Sequence, residues 1–147
     1  GYKRSSNELP SMPYPEHLLT PMRQDLTRFG VEETRTPEAV DEALKAETTL
    51  MVVNSVCGCA AGKARPAIGA ALQHAKKPAK VATVFAGGDE EATQHLRGIL
   101  SMYPPSSPAV FLFKQGEPVF ALHRRDIESS DPFTLSEKLK AAFEQHC

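Results

Sequence analysis

Long apolar runs and an excess of charge of either sign are both missing from this sequence of 147 residues. No apolar stretch approaches the ~20 residues that a membrane-spanning helix needs, and residues 1–11 lack the apolar run of a secretory signal peptide. The 17 basic and 18 acidic residues leave a formal net charge of −1, and no basic block stands out. We therefore expect a cytoplasmic protein that binds neither membranes nor nucleic acid.

Cysteine is scarce, and its number is odd. Three cysteines do not suit a secreted disulfide framework, which prefers more of them in even numbers. A metal site would need more ligands than one cysteine pair, and the only other obvious pair is His146 with Cys147. We therefore expect no bound metal and no cofactor. Two of the cysteines, Cys57 and Cys59, are separated by Gly58 alone, and this pattern needs its own explanation.

Segments with helical and strand patterns alternate along the chain. Apolar residues three or four positions apart predict helices, and short runs that are apolar on both faces predict buried strands. The predicted helices cover residues 16–29, 37–46, 59–75, 90–101 and a last segment that begins at Ser130-Asp131-Pro132; the predicted strands cover residues 48–54, 80–86, 109–114 and 118–122. Residues 1–14 read as an N-terminal tail or strap, and residues 15–147 as one domain.

This order predicts an α/β protein, a three-layer α/β/α sandwich around a central mixed sheet. It resembles the order of elements in a thioredoxin-like fold. Two local features complete the prediction. Asp89 is expected to cap a helix, and the last helix is expected to bury one apolar side, made of Phe133, Leu135, Leu139 and Phe143.

Cys57, Gly58 and Cys59 follow a predicted buried strand where the next helix begins. Active sites gather at this end of the strands in an open α/β sheet. The free N–H groups and partial positive charge of a helix N-terminus favour the thiolate, which is the nucleophilic form of cysteine. A disulfide across one glycine closes a small ring, for which we expect strain and easy reduction. Thiol–disulfide exchange is the favoured chemistry, and buried inert cysteines or a metal site are the alternatives.

Ser107 and Pro108 open a second informative segment. The run from Ser107 to Glu117 resembles the thioredoxin segment in which a cis-proline begins a strand that ends in a Lys-x-Gly-Glu turn. The resemblance implies a cis peptide bond between Ser107 and Pro108. It also implies that this bond lies beside the cysteines and helps to bind the backbone of the substrate.

Several motifs together resemble one family, the bacilliredoxins. The block Asn-Ser-Val-Cys-Gly-Cys at residues 54–59 is the most specific of them. The others are Pro21-Met22-Arg23, Thr83-Val84-Phe85-Ala86-Gly87, Pro105-Ser106-Ser107-Pro108 and the ending Ala142-Phe143-Glu144-Gln145-His146-Cys147. The resemblance spans roughly residues 15–147.

The family resemblance implies an enzyme that acts on mixed disulfides between proteins and bacillithiol, a low-molecular-weight thiol of certain bacteria. Cys57 would attack and take up the small thiol from the client protein. Cys59 would resolve this adduct by forming the intramolecular disulfide. The implied partners are client proteins that carry bacillithiol or other disulfides, and the small thiol itself.

Two positions depart from the related patterns. Met51 stands where thioredoxins carry a buried acid, so a proton acceptor for the second thiol is not evident. Arg125 stands where a similar family segment has histidine, although His123 is near in sequence and is expected to face solvent. Lys63 and Arg65 would attract the carboxylates of a small acidic thiol or face solvent, and solvent exposure is the favoured interpretation.

Three further residues keep open roles. Asn54 and Ser55 would orient the loop or hydrogen-bond a sulfur, or else satisfy backbone groups where strand becomes helix. Cys147 is a candidate accessory thiol: a second resolving cysteine, a site of intermolecular disulfides, or a bystander. The competing functions are a general disulfide isomerase or reductase, a non-enzymatic metal-binding module that uses the same cysteines, and a scaffold domain whose cysteines are inert.

Overall fold

The computed structural model describes residues 14–56 and 58–147. The expected tail therefore lies outside the described residues except for Tyr14, and so does Cys57. The helices are α1 Glu16–Thr27, α2 Pro37–Ala43, α3 Gly58–Ala71, α4 Glu90–Ile99, α5 Arg124–Glu128 and α6 Pro132–His146. The strands are β1 Glu32–Glu33, β2 Thr48–Asn54, β3 Lys80–Phe85, β4 Ala109–Lys114 and β5 Glu117–Leu122.

The strands form one mixed sheet in the order β1-β3-β2-β4-β5. β1 and β2 run parallel to β3, whereas β4 runs antiparallel to both β2 and β5. As a result, the last residues of β2 and β3 and the first residue of β4 meet at the same end of the sheet, with Ala109 opposite Val53. We call this the carboxyl end. At the other end, Thr48 lies opposite Lys114.

The central strand β2 is buried along its whole length, and its side chains alternate between two cores. Leu50 and Val52 belong to the core shared with α1, α3 and α6. Met51 and Val53 belong to the core shared with α2 and α4. Because successive side chains of a strand point to opposite faces, this alternation shows helices on both sides of the sheet. The predicted α/β/α arrangement around a mixed sheet is therefore confirmed.

Local sequence signals explain several element boundaries. The Thr36 hydroxyl accepts a hydrogen bond of 3.1 Å from the Ala39 N–H, which caps α2, and Pro37 occupies the first helical position. Gln115 and Gly116 have φ values of +52° and +80°. Two positive φ values in a row are what a tight hairpin turn requires. This turn joins β4 to β5, as the sequence predicts.

Two predicted side-chain roles are wrong. Asp89 precedes α4, but its carboxylate makes no capping hydrogen bond and accepts the Phe85 N–H at 3.0 Å instead. Phe133 is 73% exposed rather than buried in α6. Leu135, Leu139 and Phe143 are spaced by four residues and share a face, whereas Phe133 lies about 200° around the helix from Leu135. α2, α3 and α4 also end earlier than predicted, at Ala43, Ala71 and Ile99.

The sequence pattern missed β1 and α5, since two and five residues are too few to show a periodicity. Among residues 14–56 and 58–147, no helix has the length and apolar character needed to cross a membrane.

Candidate active site

The carboxyl end of β2 leads directly into α3, which begins at Gly58. Gly58 has a φ of +20°, and the space that a Cβ atom would occupy there is open. The next residue, Cys59, lies in the first turn of α3, and its side chain is exposed. A thiol in this position is accessible to a partner from solvent. Of the Cys-Gly-Cys run, Gly58 and Cys59 are described and Cys57 is not.

The chain between β2 and α3 is held by the side chain of Asn54, which is 2% exposed. Its Oδ1 accepts hydrogen bonds from the Ser55 N–H at 2.9 Å and from Arg65 Nη1 at 3.1 Å. Its Nδ2 donates to the Met22 carbonyl of α1 at 3.2 Å. The amide thus makes three hydrogen bonds, two of them to main-chain groups. The Asn54 contacts therefore agree with the expectation that it satisfies backbone groups at the strand–helix junction.

Arg65 connects the same junction to α1 and α3. Its Nη1 also donates to the Ser55 carbonyl at 3.0 Å, and its Nε lies 3.3 Å from Asp25 Oδ2. The side chain is only 14% exposed, so the expectation that Arg65 faces solvent is wrong. The reason is that residues 54, 55 and 65 converge where β2 meets α3. Lys63 lies about 200° around α3 from Arg65 and donates to the Glu128 carbonyl at 2.8 Å.

A buried arginine fixes α1 against the carboxyl end of β3. Arg23 is 5% exposed and forms two hydrogen bonds to the Asp89 carboxylate, at 2.9 and 3.0 Å. It is further paired with Glu16 at 2.8 Å and with Glu33 at 2.7 Å. Burial lowers the pKa of Arg23, but the hydrogen bonds that Arg23 donates to Asp89 and Glu16 outweigh this effect and the pKa is raised. Arg23 therefore stays charged, and we call this group of residues the ion cluster.

The sequence gives only a weak signal for the ion cluster. Arg23 belongs to the Pro21-Met22-Arg23 motif, and Asp89 follows a strand. Nothing in the spacing of two residues 66 positions apart indicates that they pair.

Pro108 lies at the carboxyl end of the sheet, directly before Ala109, which is opposite Val53. The peptide bond between Ser107 and Pro108 is cis, so this prediction is confirmed. The Ser107 carbonyl accepts a hydrogen bond of 3.3 Å from Arg124 Nη1. The antiparallel register thus brings residues 107–108 next to the junction that carries Asn54, and the two predicted segments meet at one end of the sheet.

Met51, which stands where thioredoxins carry a buried acid, and His123, which is near the departing position 125, both pack against other side chains. Met51 is completely buried in the core beneath α2 and α4, and the Thr34 hydroxyl lies 4.0 Å from its sulfur. The expectation that His123 faces solvent is wrong. Its ring is half-buried and packs against the rings of Tyr103 and Phe111, with centroid distances of 5.0 and 5.7 Å.

Cys147 lies at the opposite end of the sheet from Cys59. It is half-buried, packs against the core of α1, α3 and α6, and lies close to the Thr48 side chain. Burial raises the pKa of the Cys147 thiol, and the contact with Thr48 offsets only part of this effect. Thr48 and Asn54 are the two ends of β2, which at ~3.3 Å per residue spans about 20 Å. The structure therefore separates Cys147 from Cys59.

Within residues 14–56 and 58–147, no group of three or more His, Cys, Asp or Glu side chains is placed to hold a metal ion.

Comparison with known proteins identifies the family. A family described as disulphide isomerase matches residues 14–147. A bacilliredoxin of Koribacter versatilis is 54% identical over 136 residues, which are 91% of this chain and 94% of the relative. A bacilliredoxin of Salinibacter ruber is 48% identical over 92% of this chain and 82% of its own length. A bacilliredoxin of Halalkalibacterium halodurans is 46% identical over 91% of this chain and 94% of its own length.

Solved structures agree with the predicted fold. The thioredoxin of Fasciola hepatica superposes with a TM-score of 0.55 at 17% identity, over 80% of this chain and all of that one. The thioredoxin of Malassezia sympodialis gives a TM-score of 0.55, also at 17% identity, over 79% of this chain and 90% of its own. At this identity the likeness concerns the fold alone. The chain therefore has a thioredoxin-like fold, and it belongs to the bacilliredoxin family.

Proposed function

We propose that this protein removes bacillithiol from mixed disulfides on client proteins, with Cys57 as the attacking nucleophile and Cys59 as the resolving thiol. The observation that carries the proposal is the placement of Cys59. Its thiol is exposed in the first turn of α3, directly after a junction held by Asn54 and Arg65. An exposed thiol on a fixed support suits exchange with a bulky protein disulfide.

The proposed reaction has two exchange steps. The Cys57 thiolate attacks the bacillithiol sulfur of the mixed disulfide, so that a Cys57–bacillithiol disulfide forms and the client sulfur leaves as a thiolate and takes up a proton. The Cys59 thiolate then attacks the Cys57 sulfur, which releases bacillithiol as a thiolate that is protonated in turn. Two electrons pass from the Cys57–Cys59 dithiol to the mixed disulfide. A separate thiol reductant must then reduce the Cys57–Cys59 disulfide.

The described residues around the cysteines have supporting roles in this proposal. Asn54, Ser55 and Arg65 keep the junction between β2 and α3 in one conformation through the hydrogen bonds given above. Gly58 lets α3 begin immediately between the two cysteines, where a Cβ atom would restrict the backbone. Ser107 and Pro108 present main-chain groups at the same end of the sheet, and we assign to them the binding of the client backbone.

The test is the release of bacillithiol from a bacillithiolated client protein by the wild type, Cys57→Ala and Cys59→Ala. The proposal predicts release by the wild type, none above background by Cys57→Ala, and at most one equivalent removed by Cys59→Ala. Cys147→Ala is the matched control, because its thiol lies at the far end of the sheet, and it should turn over like the wild type. A wild type that leaves the adduct in place would overturn the proposal.

The description of the matching family as disulphide isomerase favours a second candidate. In this alternative the same cysteines reshuffle disulfides within proteins. The two functions are separated by giving the enzyme a protein with scrambled disulfides and a bacillithiolated protein at equal concentration. Faster recovery of the native disulfides than removal of the adduct would favour the isomerase.

The proposed chemistry also indicates in which compartment the protein acts and which molecules it reacts with. A dithiol that must be kept reduced fits the reducing cytoplasm, and we propose that location. Its partners would be bacillithiolated or disulfide-containing proteins and the small thiol that is released.

A further inference from the structure

A cleft of about 420 Å³ opens between residues 103–106 and the start of α5. Its walls are residues 103–106 and 123–125, together with Glu128, and we call it the basic cleft. Sites for small molecules in proteins are concave and have volumes of about 300–1,000 Å³. The basic cleft is therefore large enough to enclose a small ligand and too small to take a folded partner.

The basic cleft adjoins the proposed active site on two sides. Arg124, which lines it, donates to the carbonyl of Ser107, the residue of the cis peptide bond. On the other side, Lys63 of α3 donates to the carbonyl of Glu128. Lys63 lies four residues after Cys59, so both project from the same face of α3 about 5–6 Å apart. A molecule whose sulfur is at the cysteines can thus extend into the cleft.

The charges in the cleft favour an anion. Arg124 and Arg125 face a single carboxylate, Glu128, and Arg124 Nε already pairs with that carboxylate at 2.9 Å. Arg125 is exposed, and within the described part of the chain its side chain has no ion pair. A guanidinium presents several N–H donors in one plane and binds carboxylates through two hydrogen bonds. Arg125 is therefore the group best placed to bind a carboxylate that enters the cleft.

The walls of the cleft are held in place before any ligand binds. The rings of Tyr103, Phe111 and His123 all pack against one another, with centroid distances of 5.0 to 5.8 Å. Pro104 and Pro105 restrict the backbone of the opposite wall. Because little order has to be gained on binding, such a site selects its ligand at a low entropic cost.

We propose that the basic cleft binds the carboxylate-bearing part of the low-molecular-weight thiol, with Arg125 as its main contact. This inference rests on the proposed function and adds where and how the small thiol is recognised. It makes the enzyme prefer mixed disulfides with an acidic thiol over those with a neutral one. The preference comes from the small thiol and not from the client protein.

The experiment compares one client protein carrying either bacillithiol or the uncharged 2-mercaptoethanol. KM and kcat are measured for the wild type, Arg125→Gln, Arg125→Lys and Arg28→Gln. Arg28→Gln is the matched control, because Arg28 is an exposed arginine at the far end of α1. We expect Arg125→Gln to raise KM for the bacillithiol adduct by about three- to tenfold with kcat unchanged, as for loss of a charged hydrogen bond that is partly exposed. Arg125→Lys should recover part of this loss, and the 2-mercaptoethanol adduct should be unaffected.

Binding without turnover separates this inference from the proposed function. The probe is S-methyl bacillithiol, a thioether that cannot exchange, titrated into the isotope-labelled protein. Amide shifts confined to Tyr103, Ser106 and residues 123–128, and weakened by Arg125→Gln, would support the cleft even if the enzyme proved inactive on bacillithiol adducts. An active enzyme whose KM is the same in Arg125→Gln and the wild type would overturn the cleft alone. An equal rise in KM for both adducts in Arg125→Gln would also overturn it, and would indicate that the cleft binds the client protein.

Discussion

Replacing Arg65 with methionine tests whether the junction between β2 and α3 is held as the structure indicates. The substitution removes the two hydrogen bonds from Nη1, to Asn54 Oδ1 at 3.1 Å and to the Ser55 carbonyl at 3.0 Å, and the ion pair with Asp25 at 3.3 Å. Methionine keeps most of the aliphatic stem, so the loss is confined to the charged head.

The magnitude follows from the exposure of each contact. The hydrogen bonds come from a charged donor that is 14% exposed, and such bonds contribute about 1.5–3 kcal/mol each at most. Asn54 Oδ1 still accepts the Ser55 N–H after the substitution, so the bond from Arg65 to Asn54 counts for less than the full amount. The ion pair adds less than ~1 kcal/mol because Asp25 is 43% exposed. We expect a loss of about 2–3 kcal/mol in the free energy of unfolding.

The assay is urea unfolding of the wild type, Arg65→Met and the control Lys63→Met, with amide hydrogen exchange at Ser55. Among the described residues Lys63 makes one hydrogen bond, an exposed one to a main-chain carbonyl, and its substitution should cost less than about 1 kcal/mol. For a chain of this size the Arg65 variant should also melt about 5–10 °C lower. The Ser55 N–H should exchange faster in it. Equal unfolding midpoints for Arg65→Met and Lys63→Met would refute the reasoning.

Three other predictions concern stability and pH. Asp89→Ala leaves the ion cluster without its buried carboxylate and should cost about 3 kcal/mol in urea unfolding; a cost below ~1 kcal/mol would contradict the pairing. Gly88→Ala should cost about 1–3 kcal/mol, because its Cβ would lie 2.6 Å from Leu19 Cδ1, whereas Gly62→Ala has open space and should be neutral or stabilising. Since burial raises the pKa of Cys147, the folded protein retains this proton longer than the unfolded chain, and stability should fall above about pH 9. Unfolding midpoints at pH 7.5 and 10 should differ less in Cys147→Ala, and an unchanged difference would count against the burial of this thiol.

The layered fold could be predicted because its signals are local. β2 contains an unbroken apolar run at residues 50–53, which is typical of a strand covered on both faces, and the Thr36-Pro37 start of α2 depends on neighbouring residues alone. The hairpin at Gln115-Gly116 is equally local. Phe133 shows the limit of this reasoning, because it is apolar but lies outside the spacing of four that Leu135, Leu139 and Phe143 share.

The candidate site could be predicted in part. The thiol at Cys59 and the cis bond before Pro108 follow from motifs within single segments. The surroundings of Arg65 could not be predicted, because its partners come from two distant parts of the chain, Asp25 in α1 and the Asn54-Ser55 pair at the end of β2. The basic cleft was missed for the same reason. Residues 103–106 and 123–125 are separated along the chain, and α5 is too short to show a periodicity.

The most direct test of the proposed chemistry is the intact mass of Cys59→Ala after incubation with a bacillithiolated client. Without the resolving thiol, the first exchange should stop at the Cys57 adduct. We predict a mass increase of one bacillithiol, located at Cys57 by peptide mapping, and a client with its free thiol restored. A Cys59→Ala protein that stays unmodified while the client keeps its adduct would contradict the account.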